Sequence, residues 1–391
     1  MIKEYKIVAL DHLVSGEMPQ AYRDDPAIIK ALARVIYRPL LRNWLQQRDE
    51  TLFCLDDPYN ARLAQGYWDM AGQAHAIAPC GELHFEHIWC LGRDGLRVDI
   101  ENGVVFIGHT VNWGREYFDW WIDYSQVGFV EWVSADAFRA DFGEPERRDD
   151  NIVMMKYPGY GIFGHWLLDF VPQLTASRYM ELPEGTKFVF DHLTDWMKDL
   201  LDAVGITAVD SYSHRLTEHV NLRMPTGMKN GYALGQPINA LAWSGLRAHF
   251  NHLNSTRAPT GLERLFVSRS KWAGQRSLAN YKALERLMAS LGFTIFHPEQ
   301  YSLQDQAHYF SQAKIILGED GSGLHTIMLA DPGVVLGVLM QEDRYNLWHA
   351  GICHTMGHRL AYHELKLGAQ GVEINLDAIG TFTQALIAQA R

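Results

Sequence analysis

The chain has 391 residues, 47% of them hydrophobic and 21% charged, enough to bury a substantial core and to build two or three domains. Thirty-five basic against 46 acidic side chains leave a formal charge of −11, which excludes a surface built to neutralise phosphodiester backbones, so nucleic acid is not an expected partner. Cys54, Cys80, Cys90 and Cys353 lack paired C-x-x-C spacing and read as thiols in a reducing compartment.

From Pro26 to Arg48, Ile28, Leu32, Val35, Ile36, Leu40, Leu41 and Trp44 recur with helical spacing, which predicts one long helix with a buried face. Between His84 and Trp132 the pattern turns to aromatic and β-branched alternation, with Asn102-Gly103 as a tight hairpin turn. Residues 1–145 therefore read as helical and then β-rich. Next come strands at Ile152 to Lys156 and Lys187 to Asp191, and a helix from Leu193 to Val204 stopped by Gly205. Met224 to Pro237, rich in Gly, Pro and Asn, reads as a loop.

Beyond Arg264 the elements alternate strictly. Strands are predicted at Leu265 to Ser268, Thr294 to Phe296, Lys314 to Leu317 and Val334 to Leu339. Between them run helices from Leu278 to Leu291, from Ser302 to Gln312 behind a Ser302/Asp305 capping pair, and from Gly321-Ser322-Gly323 to Ala330. Such alternation implies a parallel doubly wound α/β sheet, whose ligands bind in the crevice at the carboxyl ends of the strands. A terminal helix is expected from Leu376 to Arg391. The divisions that follow are 1–145, 146–257, 258–372 and, for the closing helix, 373–391.

Chemistry concentrates at three places. Arg269 stands just past a strand end, where a guanidinium can clasp two phosphate oxygens, and Lys271 and Arg276 add charge to the same loop. The stretch Gly318-Glu319-Asp320-Gly321-Ser322-Gly323-Leu324 puts glycines at a strand-to-helix turn, so that backbone N–H groups can face a diphosphate. His165 and Asp169 lie four residues apart, and either can take a proton from a sugar hydroxyl. His354 and His358, with His349 nearby, have zinc-like spacing, but no Glu follows the first as in a metalloprotease. No D-x-D triplet occurs, so no cofactor is required by this reading and a divalent cation is not indicated.

Together these segments resemble the family 61 glycosyltransferases over roughly residues 150 to 365. The resemblance is carried by His165, Asp169 and Pro172; by Ser268, Arg269, Arg276 and Asn280; and by Gln306, Gly318, Gly321, Ser322, Gly323 and Leu324, continued by Asp331-Pro332-Gly333. It implies a GT-B-like fold of two Rossmann-type domains facing a cleft, and inverting transfer from a nucleotide sugar, a UDP-sugar above others. The acceptor it implies is a glycan or lipid-linked glycan hydroxyl in polysaccharide assembly. Arg269, Lys271, Arg276 and Gly321 to Leu324 would hold the donor diphosphate, and His165 or Asp169 would serve as base.

Two positions depart from the family pattern. Asp320 stands where a His often precedes the glycines, and Leu336-Gly337-Val338 carries no Glu for the ribose, which leaves Glu319 and Glu342 for the nucleoside or ribose. A nucleotide-sugar epimerase and a non-catalytic sugar-nucleotide or glycan-binding module are the alternatives. Met1 to Lys6 lack the apolar core of a signal peptide, and the run Val334 to Met340 is too short to span a bilayer. The expected location is cytoplasmic, with peripheral contact at the inner face of a membrane left open.

Overall fold

The computed structural model describes residues 2–10, 13, 18–41, 47–73, 80–91, 96–107, 129–155, 159–211, 216–226, 229–230, 233–234, 238–271, 280–368, 371–372 and 374–390. The chain divides into two units: residues 1–43, 78–161 and 169–228 form the first, and 44–77, 162–168 and 229–391 the second.

The first unit is built on one mixed sheet. Its strands are β1 (Lys3–Ala9), β2 (Val35–Leu41), β3 (Cys80–Leu91), β4 (Leu96–Asp99), β5 (Val104–Ile107), β6 (Phe129–Trp132), β7 (Ala137–Asp141), β8 (Glu146–Met154), β9 (Lys187–Phe190), β10 (Val209–Ser211) and β11 (Thr217–Pro225). They run in the order β10-β9-β8-β11-β3-β4-β5-β1-β7-β6, with β2 also paired to β3. β10, β9, β8 and β11 are mutually parallel, and the helices Val171–Ser177 and Asp195–Ala203 carry the chain back from β8 to β9 and from β9 to β10. β3, β4 and β5 form an antiparallel meander instead, and the turn before β5 ends on Gly103 at φ 67°, as the Asn-Gly pair predicts.

One expected element changes type. The helix that starts at Pro26 under an Asp25 cap ends at Leu32, and Val35–Leu41 is a strand paired antiparallel with β3. The helical stripe from 26 to 48 was formed by two shorter patterns placed end to end. β-branched Val35 and Ile36 favour extended backbone, and Pro39, which would break a helix interior, sits at a register shift of the strand.

The second unit carries a five-stranded sheet that is parallel throughout. After the short pair β12 (Lys229–Asn230) and β13 (Ala233–Leu234) come β14 (Arg264–Val267), β15 (Thr294–Phe296), β16 (Ile315–Glu319), β17 (Val335–Gln341) and β18 (Arg359–Leu365). Their spatial order is β15-β14-β16-β17-β18. β18 is an addition to the predicted set: its sequence, RLAYHEL, mixes charge with apolar residues and shows no clean apolar run. Cys54 and Leu52 exchange backbone hydrogen bonds with Leu360, fastening residues 52–54 to this strand.

Tyr281, Leu284 and Met288 of helix Tyr281–Ser290 and Ile379, Phe382 and Leu386 of helix Leu376–Gln389 close a core over Leu317, Val335 and Leu339. The helices Ile238–Leu253, Leu303–Phe310 and Trp348–Met356 pack with the 3-10 helix Ser322–Leu329 in a second group. Gly337 lies at the centre of β17, where an added Cβ would stand 2.4 Å from Leu386 Cδ1 and 2.5 Å from Leu317 Cδ1. A glutamate at 337 has no room, which is the physical content of that departure from the family pattern.

Candidate active site

Strand order places a site before any side chain is considered. From β14 the chain crosses to β15 on one side and then to β16 on the other, so the connections leave in opposite directions between β14 and β16. In an open parallel sheet such a point leaves a crevice outside the carboxyl ends of the strands. The segments that follow β14 and β16 here are Ser268-Arg269 and Asp320-Gly321.

These segments meet. Arg269 Nη1 donates to the backbone oxygen of Asp320 at 3.0 Å. A Cβ on Gly321 would lie 2.6 Å from the same Nη1, so any larger residue at 321 would shift the guanidinium from this place. Ser268 and Ser270 do not join the cationic group: their hydroxyls donate to Glu285 Oε1 at 2.7 and 2.6 Å. Burial acts to raise the Glu285 carboxyl, but these two bonds, with His297 and Lys271 nearby, hold it below the usual range. Lys271 is exposed and donates to Gln300 Oε1 at 3.1 Å. Arg276 lies outside the described residues.

The glycine turn opens a 3-10 helix, Ser322–Leu329, rather than the predicted α-helix. Its first turn closes with Leu324 N donating to Gly321 O at 3.0 Å, and the N–H groups of such a start face outward from the helix end. Gly318 allows the close strand approach that aims this turn, since a Cβ there would stand 2.7 Å from Val267 O.

A small cleft opens beside Arg269 at the carboxyl ends of β16, β17 and β18. Leu339 and Leu365 give it an apolar part, and Arg269, Glu319, Asp320, Gln341 and Arg344 a polar one. Glu319 is buried, and Tyr281 Oη donates to its Oε1 at 2.6 Å. Burial pushes the Glu319 carboxyl up to about 7, with Asp320 adding to the effect and Tyr281 and Arg269 opposing it. Asp320, which stands where the family pattern often has His, has a carboxylate already engaged: Oδ1 accepts from Asn346 Nδ2 at 2.7 Å, and Arg344 Nη1 stands 3.7 Å from Oδ2. Glu342 is directed elsewhere, accepting from Leu367 N at 3.0 Å and pairing with Lys366 at 3.1 Å.

His165 ends the short helix Phe163–His165 and is half-buried. Gly164 beside it makes the placement, because a Cβ there would meet His325 Nδ1 at 2.7 Å and Ser322 Cβ at 2.8 Å. The segment bearing His165 thus lies directly against the glycine turn. Asp169 follows in a π-helical stretch, Trp166–Phe170, and is only 3% exposed. Behind the turn His349, fully buried and pushed down from its ordinary range by burial, has Nε2 3.4 Å from Gly321 O and Nδ1 3.6 Å from Asp320 Oδ1.

Of the zinc-spaced histidines, His354 is bonded to Tyr67 Oη and Gln47 O, each at 3.0 Å. Among the described residues, no three His, Cys, Asp or Glu side chains gather closely enough to hold a metal ion. All four cysteines are free thiols, and among the described residues no helix is long and apolar enough to cross a membrane.

Arg344, Gly164 and Tyr281 escaped the sequence reading. Arg344 stands three residues past the end of β17, much as Arg269 stands two past the end of β14, which is the one signal that would have marked it. Residues 163–337, from the His165 helix to the middle of β17, match the family model described as Glycosyltransferase 61, while no curated protein matches the chain.

Proposed function

Residues 163–337 carry a glycosyltransferase family 61 domain and make this chain a glycosyltransferase; from that premise we propose an inverting transfer from a nucleotide sugar bound at the β14/β16 switch point. The observation that carries the reading is the contact of Arg269 with the Asp320 carbonyl over Gly321. It unites a bidentate cation with a helix start, the two groups best suited to an anionic leaving group.

His165 takes the proton from an acceptor hydroxyl, whose oxygen attacks the anomeric carbon while the bond to the diphosphate oxygen breaks. His165 is preferred to Asp169 because its helix rests on the glycine turn and its ring is partly exposed, whereas Asp169 is buried. Arg269, Lys271 and the N–H groups at Ser322 and Gly323 receive the charge that develops on the nucleoside diphosphate, while the Leu324 N–H closes the turn onto Gly321 O. Glu319, at the inner end of the cleft, is read as facing the nucleoside or ribose. The second unit's parallel sheet is then the donor-binding half of a GT-B-type enzyme and the first unit the acceptor-side half. A UDP-sugar as donor and a glycan or lipid-linked glycan hydroxyl as acceptor follow from the family resemblance.

The test is Arg269→Ala in the full chain, with thermal shift against UDP, GDP, CDP and dTDP and turnover of the sugar donor that binds. Stabilisation by one nucleotide class should be lost and turnover should fall at least tenfold, roughly 1.4 kcal/mol. A smaller fall removes the clamp assignment.

A further inference from the structure

The cleft contains a second arginine, and its setting differs from that of a surface side chain. At the end of β17 the chain makes a tight turn, with Arg344 N donating to Gln341 O at 3.0 Å, and the Arg344 side chain lines the same cleft as Arg269. Asp320 lies between the two guanidiniums. Its backbone oxygen accepts from Arg269 at 3.0 Å, and its carboxylate Oδ2 stands 3.7 Å from Arg344 Nη1.

The carboxylate is itself fixed. The Asp320 side chain is 4% exposed, and Asn346 Nδ2 donates to its Oδ1 at 2.7 Å. Asn346 is held in turn, its Oδ1 accepting from Trp348 N at 3.1 Å where helix Trp348–Met356 begins. At 3.7 Å the Arg344 contact is an ion contact too long for a hydrogen bond. The pairing therefore orients the guanidinium over the cleft without consuming the short, linear bonds that Arg makes best with phosphate oxygens.

We propose that Arg344 is a second diphosphate ligand of the donor site, and that Asp320 is the positioning residue that holds it beside Arg269. The proposal rests on the reading of the site as a nucleotide-sugar site and adds a residue that reading did not use. It also gives the acid at position 320 a task. A diphosphate spans two phosphoryl groups, and two guanidiniums past the ends of β14 and β17, on either side of β16, can clasp both, whereas Arg269 alone clasps one.

The experiment is isothermal titration of the full chain with whichever of UDP, GDP, CDP and dTDP binds wild type best, and with the matching nucleoside. The variants are Arg344→Ala, Arg344→Lys, Asp320→Asn, the Arg344→Ala/Asp320→Asn pair, and Arg269→Ala. Arg344→Ala is expected to weaken the nucleoside diphosphate about tenfold and to leave the nucleoside within twofold; Arg344→Lys should recover part of the loss, as a point charge lacks the fork. Asp320→Asn should weaken binding severalfold alone and add nothing once Arg344 is alanine.

Should Arg344→Ala bind within twofold of wild type while Arg269→Ala loses binding, the inference fails and the transferase reading stands. If wild type binds none of the four diphosphates, the reading beneath it fails instead. Tighter binding by Asp320→Asn, or an equal loss in both backgrounds, would overturn the positioning role. The two exposed-side variants at 344 keep the ligand assignment testable even if Asp320→Asn does not fold.

Discussion

Arginines in the two units serve different ends, and their partners tell them apart. In the first unit, Glu82 on β3, buried to 1% exposure, accepts from Arg38 of β2 at 2.8 Å and from Arg223 of β11. Arg148 on β8 likewise bridges Asp150 and Asp210, at 2.8 and 2.6 Å, with Lys187 beside both. The hydrogen bonds from Arg148 hold both aspartates below the usual carboxylate range, against the effect of burial. Arg38 and Arg223 are closed by a carboxylate on a neighbouring strand, and Arg148 by one on its own strand and one on β10 beyond β9, so the groups act as fasteners of the sheet. In the second unit Arg269 ends on a backbone oxygen and Arg344 stands off from its carboxylate, both beside a cleft. Charge that is closed holds a fold together, and charge left partly open at strand ends is what a phosphate can use.

That contrast can be broken from either side. The largest effect is expected at Glu82→Gln, which leaves half-buried Arg223 without its anion and should cost about 3 kcal/mol of stability in a denaturant titration. Nucleotide affinity, measured where the variant is still folded, should not move; a loss of affinity there would blur the distinction between the units. Arg269→Ala should do the reverse. Its melting temperature should stay within a few degrees of wild type while turnover falls, the removed stabilisation being about 3 kcal/mol if it resembles an oxyanion donor.

Glu319→Gln probes the edge of the cleft through pH. The buried carboxyl holds its proton up to about 7 instead of the ordinary 4.5, so its contribution to stability is full below 4.5 and is lost as pH rises through about 7. The contribution is on the order of 3 kcal/mol at most. Thermal melts from pH 4.5 to 8 should therefore show a steeper decline for wild type than for the variant. Parallel curves would place the Glu319 titration elsewhere. The smallest effect is expected at Lys187→Ala, an exposed partner at 3.7 and 3.8 Å, where about 0.5 kcal/mol or less should register in the same titration.

The sequence disclosed the second unit far better than the first. Apolar runs such as Ile315–Glu319 and Val335–Gln341, each cut off by a turn, announce buried parallel strands, because both faces of such a sheet are covered. β18 was not announced, since an edge strand carrying Arg359, His363 and Glu364 has no continuous apolar run. In the first unit, strands distant in sequence pair with one another, as β1 does with β5 and β7, and no local period encodes such partners. The segments that follow β14 and β16 could be read because each combines a strand end with a distinctive residue type. That Asp320 faces Asn346 and Arg344 could not, because a carboxylate's direction depends on residues far along the chain.

The approach of Arg269 to Gly321 has a consequence for how this protein can change. With a Cβ at 321 held to 2.6 Å from the guanidinium, positions 269 and 321 behave as a single locus. A side chain at 321 must push the tip of Arg269 away from the Asp320 carbonyl, and meets no such neighbour once 269 has shrunk. A path through sequence space that enlarges 321 first displaces the guanidinium from the Asp320 carbonyl, whereas one that shortens 269 first removes that contact altogether. In a library randomised at both codons, survivors selected for transfer should keep the Arg-Gly combination, and survivors selected for folding alone should scatter.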